Sequence, residues 1–240
     1  MEISTLARLP ESGAPDLLFL LFHGEGSSAQ SMNALALPLT TAYPNSAVLS
    51  VNAPWPSAVE NEARFWFAAD SADIADEQFS PSRVAQALPE FIAVVRALQQ
   101  RFSVSWQRTA LFGFSQGAVM ALQAVQAEAA LAGRVLAFSG RHTDPPTHAP
   151  VDTTIHFLHG LQDSVVPHGP AIASAQRLVA LGGDVTADVV PGIGHELHPA
   201  LIEKSIDQLR NFLPKKVWRE AAAEAPLISR VASSDELGTD

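Results

Sequence analysis

Six short apolar runs punctuate the chain: LLFLLF at 17–22, AVLSV at 47–51, TALFG at 109–113, VLAF at 135–138, TIHFLH at 154–159 and VTADVV at 185–190. Each is strand-length and shows little alternation, the pattern of strands covered on both faces. Between them, 31–41, 81–102, 116–130, 170–181 and 199–212 carry apolar residues at helical spacing. Ser80 before Pro81 is a start signal, because Ser can cap free N–H groups and Pro at the first helical position forfeits nothing. Pro89 is expected to bend or split that helix. Strands alternating with helices predict an α/β protein with a mostly parallel central sheet, helices on both faces and right-handed crossovers.

Two stretches lack a period. Residues 52–79, including APWPSAVENEARFWFAAD, read as a long excursion over one edge of the sheet, and long loops of this kind are often binding elements. From Lys215 the chain reads KKVWREAAAEAPLISRVASSDELGTD. We therefore expect one domain over 1–213 and a C-terminal extension, 214–240, with a turn or two of amphipathic helix and a partly disordered polar tail.

Composition narrows the function. At 240 residues the chain can bury one sizeable core, and 47% apolar with 17% charged residues excludes a disordered chain. No apolar stretch approaches a membrane span, and LLFLLF runs into His23-Gly24 rather than a cleavage site, so it reads as a strand and not as a secretion signal. The absence of cysteine removes disulfides, thiolate metal sites and a Cys nucleophile, and fits a cytoplasmic location. A net charge of −10 disfavours nucleic acid and anionic membrane surfaces. The expected partner is a small-molecule substrate, without nucleic acid or stable membrane insertion; a homodimer is compatible with the chain.

The segment TALFGFSQGAVM contains GxSxG at 113–117. A Gly-rich turn capped by Ser could read the same way. The apolar strand entering it and the small-residue helix leaving it favour a nucleophilic Ser115 on a sharp strand-to-helix turn, with glycines where side chains would clash. A serine hydroxyl needs a base within reach and a group to orient that base. In this architecture the acid and then the His follow the Ser on loops at the carboxyl ends of later strands. LQDSVVP after 154–159 supplies Asp163, and PGIGHELHP after 185–190 supplies His195.

Other candidates fit less well. His159 precedes the acid on its strand, His168 begins a helix and His198 lies one turn past His195, so packing or surface roles suit them better. Asp184 starts its strand at the opposite edge of the sheet, and Asp188 lies inside it. The eight histidines show no metal-ligand spacing. Acyl transfer also needs donors for an oxyanion. The N–H of Gln116, at a helix N-terminus, is one; a second must come from the loop after an early strand.

Taken together, LFHGEG, the loop ending in FWF, GFSQGAVMAL, LAFSG, LHGLQDSVVP and GIGHELHP resemble the phospholipase/carboxylesterase family of α/β-hydrolases, which includes acyl-protein thioesterases. The resemblance runs from about residue 17 to 213. It implies an α/β-hydrolase fold with a minimal lid and a serine hydrolase with the triad Ser115, Asp163 and His195. It also places the second oxyanion donor at the backbone N–H of Glu25, gives His23 a structural role, and makes Trp66 and Phe67 candidates for the acyl pocket, against a plain core reading. The implied reaction is hydrolysis of carboxylic esters of short to medium acyl chains through an acyl-enzyme, or alternatively of acyl-protein or acyl-CoA thioesters or lysophospholipids. No metal or organic cofactor is implied. Two departures stand out: the family's carboxylate after the Trp-Phe pair is absent in FAAD, and its HGLGD loop is HGEGS here.

Overall fold

All six apolar runs enter one sheet. In chain order the strands are β1 (Thr5–Arg8), β2 (Leu17–Phe22), β3 (Ser46–Val51), β4 (Trp55–Pro56), β5 (Arg64–Phe65), β6 (Thr109–Phe114), β7 (Arg134–Phe138), β8 (Thr154–Gly160) and β9 (Asp184–Val190). The computed structural model describes residues 4–56, 63–67, 80–215, 217, 219 and 220. Seven strands lie in the order β1-β3-β2-β6-β7-β8-β9, parallel except for β1, while β4 and β5 form a separate antiparallel pair.

The pleat explains the two-sided burial. Leu18, Leu20 and Phe22 of β2 point into one core layer, and Phe19 and Leu21 into the other. Helices α2 (Pro81–Phe102), α3 (Gln116–Ala127) and α4 (His168–Ala180) cover the first layer with Phe91, Val95, Leu122 and Leu178. Helices α1 (Asn33–Ala42) and α5 (Pro199–Asn211) cover the second with Leu35, Leu39 and Leu201. A buried Leu or Phe contributes about 1.5–3 kcal/mol relative to exposure, so this double layer is the main source of stability.

Three local features add to or narrow what the sequence predicts. The edge strand β1 was invisible as an apolar run because it is short, antiparallel on β3 and solvent-exposed at Leu6 and Ala7. Pro89 does not split its helix: α2 runs unbroken from Pro81 to Phe102. Both Pro89 and Ala85, whose carbonyl the proline ring frees, are exposed, so water can satisfy that oxygen. Ser80 makes no side-chain cap; its Oγ lies 3.0 Å from Ser82 Oγ, and the helix start rests on Pro81 and on the Val84 N–H donating to the Ser80 carbonyl at 3.1 Å.

Strand order sets the location of the site. The chain steps outward from β2 to β3, returns to the other side of β2 as β6, and then proceeds steadily to β9. This reversal opens a crevice at the carboxyl ends of β2 and β6, the usual ligand position in such sheets. At the opposite edge, Lys215 caps the sheet's amino end, its N–H on Asp184 at 3.0 Å and its Nζ on the Gly183 carbonyl at 2.7 Å. The rest of the expected extension lies almost wholly outside the described residues, as does most of the 52–79 excursion. Among the described residues no helix is long and apolar enough to cross a membrane.

Candidate active site

Ser115 joins β6 to α3 with φ 52° and ψ −116°, a strained backbone for a side-chain-bearing residue. The strain is held from both sides. The Ser115 N–H donates to the Phe138 carbonyl at 2.9 Å, and the Ser115 carbonyl accepts from Ala118 and Val119 at 2.9 and 3.1 Å. The two glycines of the motif are steric necessities: a Cβ on Gly113 would lie 2.4 Å from Ala118 Cα, and one on Gly117 would lie 2.3 Å from the Phe22 carbonyl oxygen. The turn after β2 passes directly over the serine, since a Cβ on Gly24 would sit 3.0 Å from Phe114 Cδ1 and 3.4 Å from Ser115 Cβ. Glu25 follows Gly24 on that turn, and Gln116 heads α3 directly after Ser115.

The loops after β8 and β9 bring the acid and the imidazole together. His195 Nδ1 donates to Asp163 Oδ2 at 2.8 Å; the Asp163 side chain is fully buried and that of His195 is 17% exposed. The His195 ring also packs on Phe114, next to the serine, with centroids 4.8 Å apart. Asp163 Oδ1 accepts the N–H groups of Val165 and Val166 at 3.0 and 2.8 Å, which fixes the carboxylate in its own loop. Burial pushes the Asp163 carboxyl up, but the His195 contact, the Val166 N–H and the nearby Ser139 hydroxyl outweigh it and hold the group below the usual carboxylate value. The carboxylate is therefore ionised where it meets the imidazole.

On the other side, His23 is sealed. Its Nε2 accepts the Ala53 N–H at 3.0 Å, which leaves Nδ1 to donate to the Gly24 carbonyl at 2.7 Å. Burial lowers its pKa to about 4, so it is a neutral structural residue. The His23 carbonyl in turn accepts Trp66 Nε1 at 2.8 Å, and the Trp66 N–H donates to Gln116 Oε1 at 2.7 Å. Trp66 packs edge-on against Phe22 and Phe91. It thus ties the excursion to the residue after Ser115. Trp66 and Phe67 are both buried, and Trp66 lines a cavity of about 340 Å³ together with Ala53, Trp55, Arg64, Ala87 and Phe91.

Of the other candidates, His198 caps α5, its Nδ1 accepting the Ala200 N–H at 3.2 Å, and His168 opens α4. Asp184 accepts from Thr154 at the far edge, and Asp188 accepts from Gln208 at 2.8 Å. His159 is buried at the end of β8, in line with a packing role, and its Nε2 also lies 3.3 Å from Asp163 Oδ2. Its i, i+4 spacing to the acid in HGLQD was the available signal. Ser139, buried at φ 48° beside Asp163, carried none. Among the described residues no cluster of His, Asp and Glu could hold a metal.

A parallel sheet with one antiparallel edge, a strained serine between strand and helix, and an Asp–His pair on the loops of later strands define the α/β-hydrolase class. Residues 10–215 match the model of the Phospholipase/Carboxylesterase family, so the chain belongs to that family and is a hydrolase of the carboxylesterase type. It is 38% identical to the esterase YpfH of Escherichia coli K12 over 212 residues, spanning 88% of this chain and 89% of that one. It is 25% identical to an acyl-protein thioesterase 1 of Eremothecium gossypii over 78% of this chain and 84% of that one. Among solved structures it resembles the esterase PE8 with a TM-score of 0.79 and 26% identity, covering 89% of this chain and all of the other.

Proposed function

We propose that the protein hydrolyses carboxylic esters of short to medium acyl chains with Ser115 as nucleophile, His195 as general base and acid, and Asp163 as the group that orients His195. The observation that carries this reading is the Asp163–His195 hydrogen bond, with the His195 ring packed on Phe114 beside the strained serine. In the first half-reaction Ser115 Oγ attacks the carbonyl carbon while His195 Nε2 takes its proton. Asp163 keeps Nδ1–H in place and stabilises the imidazolium. The oxyanion is met by the backbone N–H groups of Gln116 and Glu25, aided by the positive end of α3. The proton then passes to the departing alcohol, leaving an acyl-serine, and water repeats the sequence in reverse to free the acid. No step draws on a metal or an organic cofactor.

Trp66 and Phe67 are both buried in the main core layer, and the cavity beside Trp66 is lined by Ser4, Asn52 and Glu90 rather than by Ser115, Asp163 or His195, which favours the core reading of this pair over an acyl pocket. The similarity to acyl-protein thioesterase 1 supports a second reading, hydrolysis of thioesters. A panel of p-nitrophenyl esters and matched thioesters of increasing chain length separates the two. Esters are expected to give the higher kcat/KM; thioester preference at every length would replace the first reading by the second. Ser115→Ala is expected to abolish hydrolysis and fluorophosphonate labelling with the fold retained, and retained activity would remove the serine assignment.

A further inference from the structure

Two imidazoles lie near one oxygen of Asp163, and one of them is hydrogen-bonded to it. Oδ2 accepts His195 Nδ1 at 2.8 Å and lies 3.3 Å from His159 Nε2, which also lies 2.7 Å from the Val166 carbonyl oxygen. Both neighbours of His159 Nε2 are acceptors, so that nitrogen carries the proton; its N–H donates to the Val166 carbonyl, and Asp163 Oδ2 lies beside it at 3.3 Å. The other nitrogen, Nδ1, is buried with no partner. A buried imidazole with one unmet nitrogen costs stability, and apolar packing alone would be served better by a hydrocarbon ring.

We propose that His159 is a positioning residue for the hydrolytic site: by donating its Nε2–H to the Val166 carbonyl it holds the segment whose N–H groups fix the Asp163 carboxylate against His195. The geometry makes a closed loop. Val166 gives its N–H to Asp163 Oδ1 and its carbonyl to His159, so His159 clamps the segment that orients the acid. Burial holds His159 neutral, helped by His168, whose ring lies 6.4 Å away on α4, and by His195; Val166 and Asp163 oppose this. The groups facing this pair are thus Asp163, His195, His168 and Ser139.

The inference rests on the hydrolase reading, and the test separates the two. Wild type, Ser115→Ala, His159→Phe and His159→Gln are compared by steady-state ester hydrolysis across pH and by thermal unfolding. Phe keeps the ring and removes the donor. Gln returns an amide N–H near the position of Nε2. His159→Phe is expected to lower kcat about tenfold or more with KM little changed, as loosening the group that orients the base would do. Its acid limb is expected to shift to lower pH, because an Asp163 released from the clamp stabilises the imidazolium less. His159→Gln is expected to recover most of kcat and the wild-type limb. A His159→Phe profile that matches wild type, or a Gln variant as slow as Phe with an unmoved limb, overturns the proposal. Should the Phe variant fail to fold, the Gln variant decides: wild-type-like kcat and acid limb support the proposal, and impaired kcat with an unmoved limb refutes it. Activity surviving in Ser115→Ala instead refutes the hydrolase reading, whatever His159 does.

Discussion

Two imidazoles stand at the same edge of the sheet and do opposite work. His23, after β2, is fully buried, bonded at both nitrogens to backbone, and lowered to about 4 by burial. His195, after β9, has a buried carboxylate on one nitrogen and a partly open ring resting on Phe114. Residue type and strand-end position do not distinguish them. What sits on each nitrogen does: two backbone partners make a brace, whereas one carboxylate and a partly open ring suit the general base proposed above.

The largest test of that contrast is Asp163→Asn. An amide nitrogen toward His195 turns the ring to the wrong tautomer, and kcat is expected to fall about 10³–10⁴-fold with an unchanged fold, measured by ester hydrolysis and circular dichroism. His23→Phe should show the reverse order of effects. Losing the partners of the Ala53 N–H and the Gly24 carbonyl is expected to cost about 2–4 kcal/mol of stability in a denaturant titration. Activity per folded molecule should change far less than in Asp163→Asn.

Acid sharpens the comparison further. His23 and His142 fall to about 4 and His156 to about 3, each mainly by burial, from 6.5 in the unfolded chain. Above pH 6.5 both states leave these rings neutral. Below it the unfolded chain takes protons the folded chain refuses, so each ring withdraws about 1.4 kcal/mol per pH unit down to its folded value. Unfolding midpoints are expected to drop steeply between pH 6.5 and 4, and His142→Phe should flatten the slope. The smallest effect is expected from Glu25→Leu, which should raise the turnover of anionic relative to neutral esters by about twofold at low salt. Equal changes on both ester classes would show that only the Glu25 backbone matters.

Much of this was legible because burial on two faces writes itself as uninterrupted apolar runs. Strands β2, β3, β6, β7, β8 and β9 all lie within a residue of their expected bounds, and Ser115, Asp163 and His195 follow from the strand ends they occupy. What stayed hidden depended on neighbours remote in sequence. β1 is a strand only because β3 offers it an edge, and Trp66 is a clip only because Gln116 Oε1 and the His23 carbonyl converge on it. His159 looked like one more strand residue until the loop after β8 folded Asp163 back over it. A second histidine beside one carboxylate is a fact of folding back, which the HGLQD spacing hints at and the strand pattern does not carry.

The pairing of β2 with β6 has a consequence for how activity arises. Leu18 lies opposite Thr109, so the turn bearing Glu25 meets the serine only after a large loop has closed. Closures of that kind come late and slowly, after local helices have formed. A nascent or partly refolded chain therefore holds every residue of the site and none of its chemistry, and recovery of ester hydrolysis should trail recovery of helical signal. Activity is in this sense a report on the finished sheet.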